Sequence, residues 1–183
     1  MIRSKIKPES QLEEKIIADP EFAAGMLYGK PRRGHPEGKV ILHIEEVLKN
    51  VDSYCTLGNR EKLRLIAILH DAFKYKVDHT KAKVGDNHHA MIARRFAERF
   101  VNDVEILDVI EFHDEAYNAW STGKKGNWGK ALERAENLIG RLQHSVHLYL
   151  AFYRCDNETG NKSQDNYLWF LNIVQRVTKE NVL

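Results

Sequence analysis

The sequence has few of the features that mark disulfide-rich, metal-thiolate or membrane-spanning proteins. Its two cysteines, Cys55 and Cys155, form no Cys-x-x-Cys pair, which argues against a disulfide framework and a thiolate zinc site. No apolar run approaches the length of a membrane span. The charged N-terminus, interrupted by Pro8, is unlike a signal peptide. We therefore expect a soluble protein of the reducing cytoplasm with no membrane partner.

The chain also lacks an excess of either charge. It carries 28 Lys and Arg against 26 Asp and Glu, a formal net charge of +2, which does not predict nucleic-acid binding. Any anionic ligand must therefore be held by local charges. The 183 residues, 43% of them apolar, suit a globular core, and we expect one domain over residues 1–183.

Strand-like alternation of polar and apolar residues is not convincing anywhere, and apolar residues recur instead at helical spacing. Helices are predicted over Gln11 to Ala18, Pro20 to Leu27, about 40–54, 63–74, 88–100 and 102–113, and Gln164 to Lys179. A long helical run from Trp128 to Tyr153 is expected to break at Gly140, and residues 118–127 are expected to form a mobile loop. The predicted fold is an all-α bundle in which 1–30 and 164–183 supply flanking helices.

The most informative stretch is the apolar run Leu63 to Lys74, because it carries two adjacent ionisable residues, His70 and Asp71. His70 falls on the stripe that the helix should bury. A buried imidazole beside a carboxylate is either a satisfied structural pair or a metal or acid/base site. The pair alone leaves both interpretations open, and the structural one is the more common.

Other helices repeat this pattern. Histidine or aspartate lies on or beside the buried stripe of five predicted helices: His43, His70 with Asp71, His89, His113 and Asp156. If those faces converge, four imidazoles and two carboxylates meet, and divalent cations compensate such a cluster more naturally than mutual hydrogen bonds do. Ligands without thiolates suit Mn, Mg, Fe, Co, Ni or Zn, as one ion or as two bridged by Asp71. His88 competes with His89 as the ligand.

The order His43, His70-Asp71, Asp156 resembles that of the HD-domain metal-dependent phosphohydrolase superfamily, over roughly residues 34–156. The segment Gly34-His-Pro-Glu-Gly, followed by His43, is similar to the entry to the HD domain of bacterial transfer-RNA nucleotidyltransferases. His89 and His113 match the extra histidines of members with two metal ions. Lys74 matches a frequent His-Asp-x-x-Lys form. The resemblance implies a helical bundle with its metal site in the core, between helices.

The resemblance also implies hydrolysis of a small phosphorylated substrate, most simply a nucleotide. Asp71 would bind metal and orient a water or accept its proton, while Lys74 would neutralise a phosphoryl oxygen. Candidate phosphate contacts are Arg94 and Arg33, with their neighbours Arg95 and Arg32, and His35, although such exposed side chains are usually solvated. Aromatic residues between Trp120 and Trp128 could stack a base, and Lys162 has only its position in favour. The sequence does not predict an oligomeric state.

Two alternatives from other functional classes remain open at this point. Some HD-like proteins with the same ligand order activate dioxygen at a di-iron centre, so an oxygenase is one rival. The other is a non-catalytic metal- or nucleotide-binding module that keeps the cation for stability. Iron-dependent colour with oxygen uptake would favour the first, and nucleotide binding without product would favour the second.

Overall fold

The computed structural model describes residues 2–55 and 58–180, and within them the prediction of an all-α fold is confirmed. An isolated antiparallel bridge between Arg32 and His35 is the sole β pairing in these two ranges. The α-helices are α1 (Ile2–Lys5), α2 (Gln11–Ala18), α3 (Pro20–Gly25), α4 (Val40–Tyr54), α5 (Arg60–Leu69), α6 (His89–Ala97), α7 (Val104–Phe112), α8 (Glu115–Lys124), α9 (Trp128–Leu142), α10 (Val146–Asn157) and α11 (Asp165–Glu180). Short 3-10 helices cover Lys74–Lys76, Gly85–Asn87 and Gln143–Ser145.

The central helix is α5, which packs against α4, α6, α7 and α10. Its stripe of Leu63, Ile66 and Ala67 is fully buried, as the helical spacing predicts. The expectation that this helix runs on to Lys74 is wrong, because it ends at Leu69 and residues 70–73 form a turn. The Ala67 carbonyl would accept the N–H of Asp71 in a continued helix, but it accepts Nδ1–H of His70 instead.

The N-terminal helices brace this centre. The Ser10 hydroxyl caps α2 by accepting Glu13 N–H at 3.1 Å. The Glu13 carboxylate accepts hydrogen bonds from Arg64 of α5 through Nε and Nη2, both at 2.8 Å, and both side chains are buried. The next helix, α3, ends at Gly25 and is shorter than predicted. Gly25 lies so close to the turn after α5 that an added Cβ would meet the Ala72 carbonyl oxygen at 1.8 Å.

Residues 118–127 were expected to be a mobile loop, and this expectation is wrong because most of them belong to α8. The buried face of α8 consists of Ala116, Ala119 and Gly123, which are too small to stand out as an apolar stripe. Gly123 is pressed against the Trp128 ring, where an added Cβ would lie 2.2 Å from a ring carbon. Small residues therefore let α8 pack closely against α9.

The long C-terminal run breaks at Gln143 and not at Gly140. Gly140 stays inside α9 with open space around it, since one exposed glycine costs a helix only about 1 kcal/mol. Gln143 adopts φ 46°, a left-handed conformation that ends α9 before α10 begins at Val146. The change in direction carries α10 back past α4 and α5.

In the part of the chain that the structure describes, no helix combines the length and the apolar character needed to cross a bilayer.

Candidate metal centre

Two of the four histidines in the predicted cluster lie at the C-terminal ends of helices. His70 is the C-terminal cap of α5 and His113 is the C-terminal cap of α7. In each, Nδ1–H donates to the carbonyl three residues earlier, Ala67 for His70 and Ile110 for His113, both at 2.9 Å. Carbonyls in the last turn of a helix lack partners within the helix, so each is free to accept. With its proton on Nδ1, each ring presents the Nε2 lone pair to the interior.

His43, on the first turn of α4, completes the first half of the cluster. Its Nε2 lies 3.3 Å from Nε2 of His70 and 3.0 Å from Oδ1 of Asp156 on α10. Both imidazoles are buried, and the Asp156 side chain is 18% exposed. Two nitrogens and one carboxylate oxygen thus converge within the span of a single cation's ligands.

His89, the first residue of α6, forms the second half with His113 and Asp71. Nε2 of His89 lies 3.2 Å from Nε2 of His113. Oδ1 of Asp71 lies 3.5 Å from the former and 3.4 Å from the latter. His88 instead accepts the Ala90 N–H as the cap of α6, so the structure favours His89 over His88 as the inward ring.

Asp71 belongs to both halves because its two oxygens face different histidine pairs. Oδ1 faces His89 and His113, whereas Oδ2 lies 3.6 Å from Nε2 of His43 and 3.5 Å from Nε2 of His70. The Oδ2 atom also accepts a hydrogen bond from the Lys74 ammonium, with which it forms an ion pair. One carboxylate thus faces both histidine pairs, as the predicted bridging role of Asp71 requires.

Burial and the neighbouring charges pull the ring pKa values in different directions. Burial lowers the pKa of His70 to about 3, against the attraction of Asp71, and burial also lowers the pKa of His89. Burial opposes the charged form of His43 and His113 too, but the carboxylates of Asp156 and Glu37 near His43, and of Asp71 near His113, raise both pKa values. Without metal, the four rings therefore differ in how readily they bind a second proton.

The two carboxyls remain ionised in this setting. Burial would raise the pKa of Asp71, but Lys74 and His70 hold it well below its usual range. Lys162 and His43 do the same for Asp156. Two fixed carboxylates among four imidazoles give the cluster the negative charge that a divalent cation requires.

The donor atoms fit a divalent cation. Asp71 Oδ1 is buried and has no hydrogen-bond partner among the described residues, which is costly unless something positive pairs with it. Two nitrogens bound at about 2.1 Å to one ion lie about 3 Å apart when they are adjacent ligands, close to the observed Nε2 pairs at 3.3 and 3.2 Å. A set of imidazoles and carboxylates without thiolates suits Mn, Fe, Co, Ni, Zn or Mg.

Four residues of the cluster form the floor of a cavity of about 970 Å³: Asp71, His89, His113 and Asp156. Cationic side chains on its wall are Arg32, Arg33, Lys74, Lys83 and Lys162. Aromatic side chains on its wall are Tyr28, Tyr117, Trp120 and Tyr153. Such a wall favours a ligand that joins an anionic group to a flat, apolar one.

Comparison with known proteins places the chain in a family. A family model described as HD domain matches residues 39–149, which is more than half of the sequence. The chain belongs to the HD-domain family. The resemblance to the metal-dependent phosphohydrolase superfamily is therefore confirmed. No curated protein and no solved structure matches the chain.

The HD-domain match covers five of the six predicted ligands. The match begins just before α4 and ends within α10, so it contains His43, His70, Asp71, His89 and His113, and it stops before Asp156. The structure brings all six side chains together at the centre of the bundle. Their role as metal ligands stays a prediction.

The predicted phosphate contacts of this HD domain divide into two groups. Lys74, Arg33 and His35 line the cavity, with the Lys74 ammonium against Asp71. Arg94 is not among the lining residues. Its Nη1 lies 2.8 Å from Asp108 and 2.7 Å from Glu111, and two carboxylates satisfy the charge outside the cavity. The prediction of Arg94 as a phosphate contact does not agree with this placement, and Arg95, paired with Asp86 at 2.5 Å, is likewise absent from the lining.

Sequence reasoning missed two contributors to the HD-domain site. Glu37 was part of the motif that carries the resemblance but received no role, and its Oε1 contacts both His35 and His43. Hydrogen bonds from these two rings offset the effect of burial and lower the Glu37 pKa to about 2. Lys83 lies in a polar connection without any local pattern, so only the folded chain reveals its place on the wall.

Proposed function

We propose that this protein is a metal-dependent phosphohydrolase that hydrolyses a nucleotide or another small phosphoester. The observation that carries the proposal is the Asp71 carboxylate, whose two oxygens face two different histidine pairs at the floor of a cationic cavity. When bound, divalent cations would supply Lewis-acid activation of a water and of the phosphoryl group. Membership of the HD-domain family supports the class of reaction and leaves the substrate open.

The chain's own residues have separate tasks in such a reaction. Lys74 projects into the cavity beside Asp71 and is placed to neutralise a non-bridging phosphoryl oxygen. Asp71 is buried and ionised, so it can also orient the attacking water or accept its proton. Lys162 also lines the cavity and lies 3.0 Å from Oδ1 of Asp156. Together with Lys74 it would hold the anionic group over the floor.

The proposal of a nucleotide rests on the aromatic part of the wall. Tyr117 and Trp120 lie three residues apart on α8, with ring centroids 5.9 Å apart. Both line the cavity. The ammonium of Lys124 lies 5.6 Å from the centre of the Trp120 ring. A base stacked on these rings would leave its phosphate within the cationic part of the cavity.

The deciding experiment is a phosphate-release screen of the protein loaded with Mn²⁺, Mg²⁺, Co²⁺ or Fe²⁺. Substrates are nucleoside mono-, di- and triphosphates, cyclic nucleotides, dinucleotides and simple alkyl phosphates. The proposal expects metal-dependent release from at least one of these, and loss of at least about 99% of it in Asp71→Asn, since the ligand and its charge both vanish. Asp108→Asn is the matched control, because Asp108 pairs with Arg94 outside the cavity. Oxygen uptake by the iron form without phosphate release would instead favour an oxygenase.

A further inference from the structure

Glu37 is a buried carboxylate between two histidines at the entrance to α4. Its side chain is 4% exposed. The Oε1 atom accepts a hydrogen bond from His35 Nδ1 at 2.8 Å and lies 3.3 Å from His43 Nδ1. The Oε2 atom has no hydrogen-bond partner among the described residues. Burying a carboxylate oxygen without a hydrogen bond costs free energy of folding. Its presence here calls for an explanation.

The position of His43 in its helix supplies that explanation. His70 and His113 lie at C-terminal helix ends, where unused carbonyls accept Nδ1–H. His43 is instead in the first turn of α4, where the backbone groups without partners are N–H donors. These groups cannot accept a hydrogen bond from the ring. The Nδ1–H of a histidine at an N-terminal end therefore needs an acceptor from outside its own helix turn.

Glu37 is the acceptor within reach. In the described residues, His43 Nδ1 is buried without a straight hydrogen bond, and Glu37 Oε1 faces it at 3.3 Å. A buried donor without a partner thus lies beside an oxygen that accepts one hydrogen bond from His35 and has room for a second. On the other edge of the ring, Nε2 faces His70 and Asp156.

We propose that Glu37 is the positioning residue of His43: it accepts a hydrogen bond from Nδ1–H and so keeps the Nε2 lone pair directed at the cation. This inference rests on the metal centre proposed above. A neutral imidazole carries one proton, and placing it on Nδ1 leaves Nε2 as the ligand. Carboxylates hydrogen-bonded to a ligating histidine fix its tautomer and make it a better ligand.

The surrounding loops are built to keep Glu37 in place. Gly38 has φ 73°, and an added Cβ there would meet Pro31 N at 2.5 Å, so the loop before α4 folds tightly on itself. Gly160, in the loop after α10, approaches Pro36 so closely that a Cβ would lie 2.9 Å from its Cδ. The Gly160 N–H donates to Glu46 Oε2 at 3.0 Å. Two loops therefore cover the carboxylate and exclude water from it.

Titration of metal-free protein with Co²⁺ tests the proposal in wild type, Glu37→Gln and Glu45→Gln. We expect Glu37→Gln to weaken Co²⁺ binding by about 10- to 100-fold and to change the visible absorption bands, because one ligand is no longer held in place. Glu45→Gln is the matched control: it removes a carboxylate on α4 whose ion pairs are with Lys5 and Lys49, and it should leave both unchanged. Equal affinity and equal spectra for Glu37→Gln and wild type would overturn the proposal.

A second measurement needs no variant. In the wild-type protein loaded with Zn²⁺, the nitrogen NMR shifts of the His43 ring should show a protonated Nδ1 and a metal-bound Nε2. Protonation of Nε2 would overturn the proposal. If wild type binds Co²⁺ tightly but releases phosphate from no substrate, the proposed hydrolysis fails while the comparison of Glu37→Gln with wild type still decides the role of Glu37. Absence of Co²⁺ binding by wild type would overturn both.

Discussion

His70 and His113 are held by the same hydrogen bond at the ends of two different helices. Each caps its helix, and each donates Nδ1–H at 2.9 Å to a carbonyl three residues earlier. Their ring centroids lie 5.1 Å apart, and each faces a different oxygen of Asp71. The two halves of the cluster are thus related in construction, and one carboxylate joins them.

The two halves predict separable losses of metal. His43→Ala removes a ligand from the first half and His113→Ala removes one from the second, so each variant should lower the metal content from about two ions per chain to about one. Elemental analysis after dialysis measures this. His144→Ala, on the exposed turn after α9, should leave the content unchanged. If His113→Ala keeps the metal content of the wild type, the second half of the cluster binds no ion.

Cation binding should release protons near neutral pH. Nearby carboxylates raise the pKa of His43 and His113 despite burial, so of the four rings these two keep a second proton to the highest pH and must lose it to bind a cation. His70, with a pKa of about 3, is already neutral and releases none. We expect about one to two protons released at pH 7 and fewer at pH 9, from calorimetry in buffers of different ionisation enthalpy. Release that increases with pH would contradict the assignment.

Trp120 should contribute to nucleotide affinity. Loss of a stacked base costs about 1–3 kcal/mol, so Trp120→Ala should raise the KM for the best nucleotide by about five- to a hundredfold. The KM for a simple alkyl phosphate should stay the same, because that substrate has no base. Tyr54→Ala, an exposed aromatic outside the cavity lining, is the control. An equal rise in KM for both substrates would show that Trp120 supports the structure of the site and does not stack on a base.

The buried pair of Glu13 and Arg64 should be essential to stability. Glu13→Ala leaves the Arg64 guanidinium, which is 4% exposed, with only the more exposed Glu9 carboxylate at 3.1 Å as an ionic partner, and removing one partner of a buried ion pair costs up to about 3–5 kcal/mol. Urea denaturation measures the free energy of unfolding. Glu14→Ala, one residue along on the exposed side of α2, should change it by less than about 0.5 kcal/mol. Similar values for both variants would show that Arg64 finds another partner.

Much of the site could be predicted because ligands on a helical stripe share the phase of the core. His70, His89, His113 and Asp156 were reached by counting from apolar residues, and the structure brings their side chains together. The ends of the helices were harder to predict from the sequence. At the end of α5 the His70 side chain donates to the Ala67 carbonyl, and the spacing of apolar residues gives no information about such a contact.

Other differences have equally local causes. The helix α8 was missed because Ala116, Ala119 and Gly123 bury little apolar area each, although together they let α9 approach. Arg94 was expected near phosphate because it follows His89 along the chain. On a helix, however, five residues are more than one turn, and the guanidinium meets Asp108 and Glu111 outside the cavity lining.

The close approach of Gly25 to Ala72 determines how much of the chain acts as one unit. Gly25 precedes the region matched by the family model, and Asp156 follows it, yet the first touches the turn that carries Asp71 and the second faces His43. Trimming the protein to residues 39–149 would remove the wall behind that turn together with Glu37 and Asp156. A fragment that keeps these contacts must include both α3 and α10.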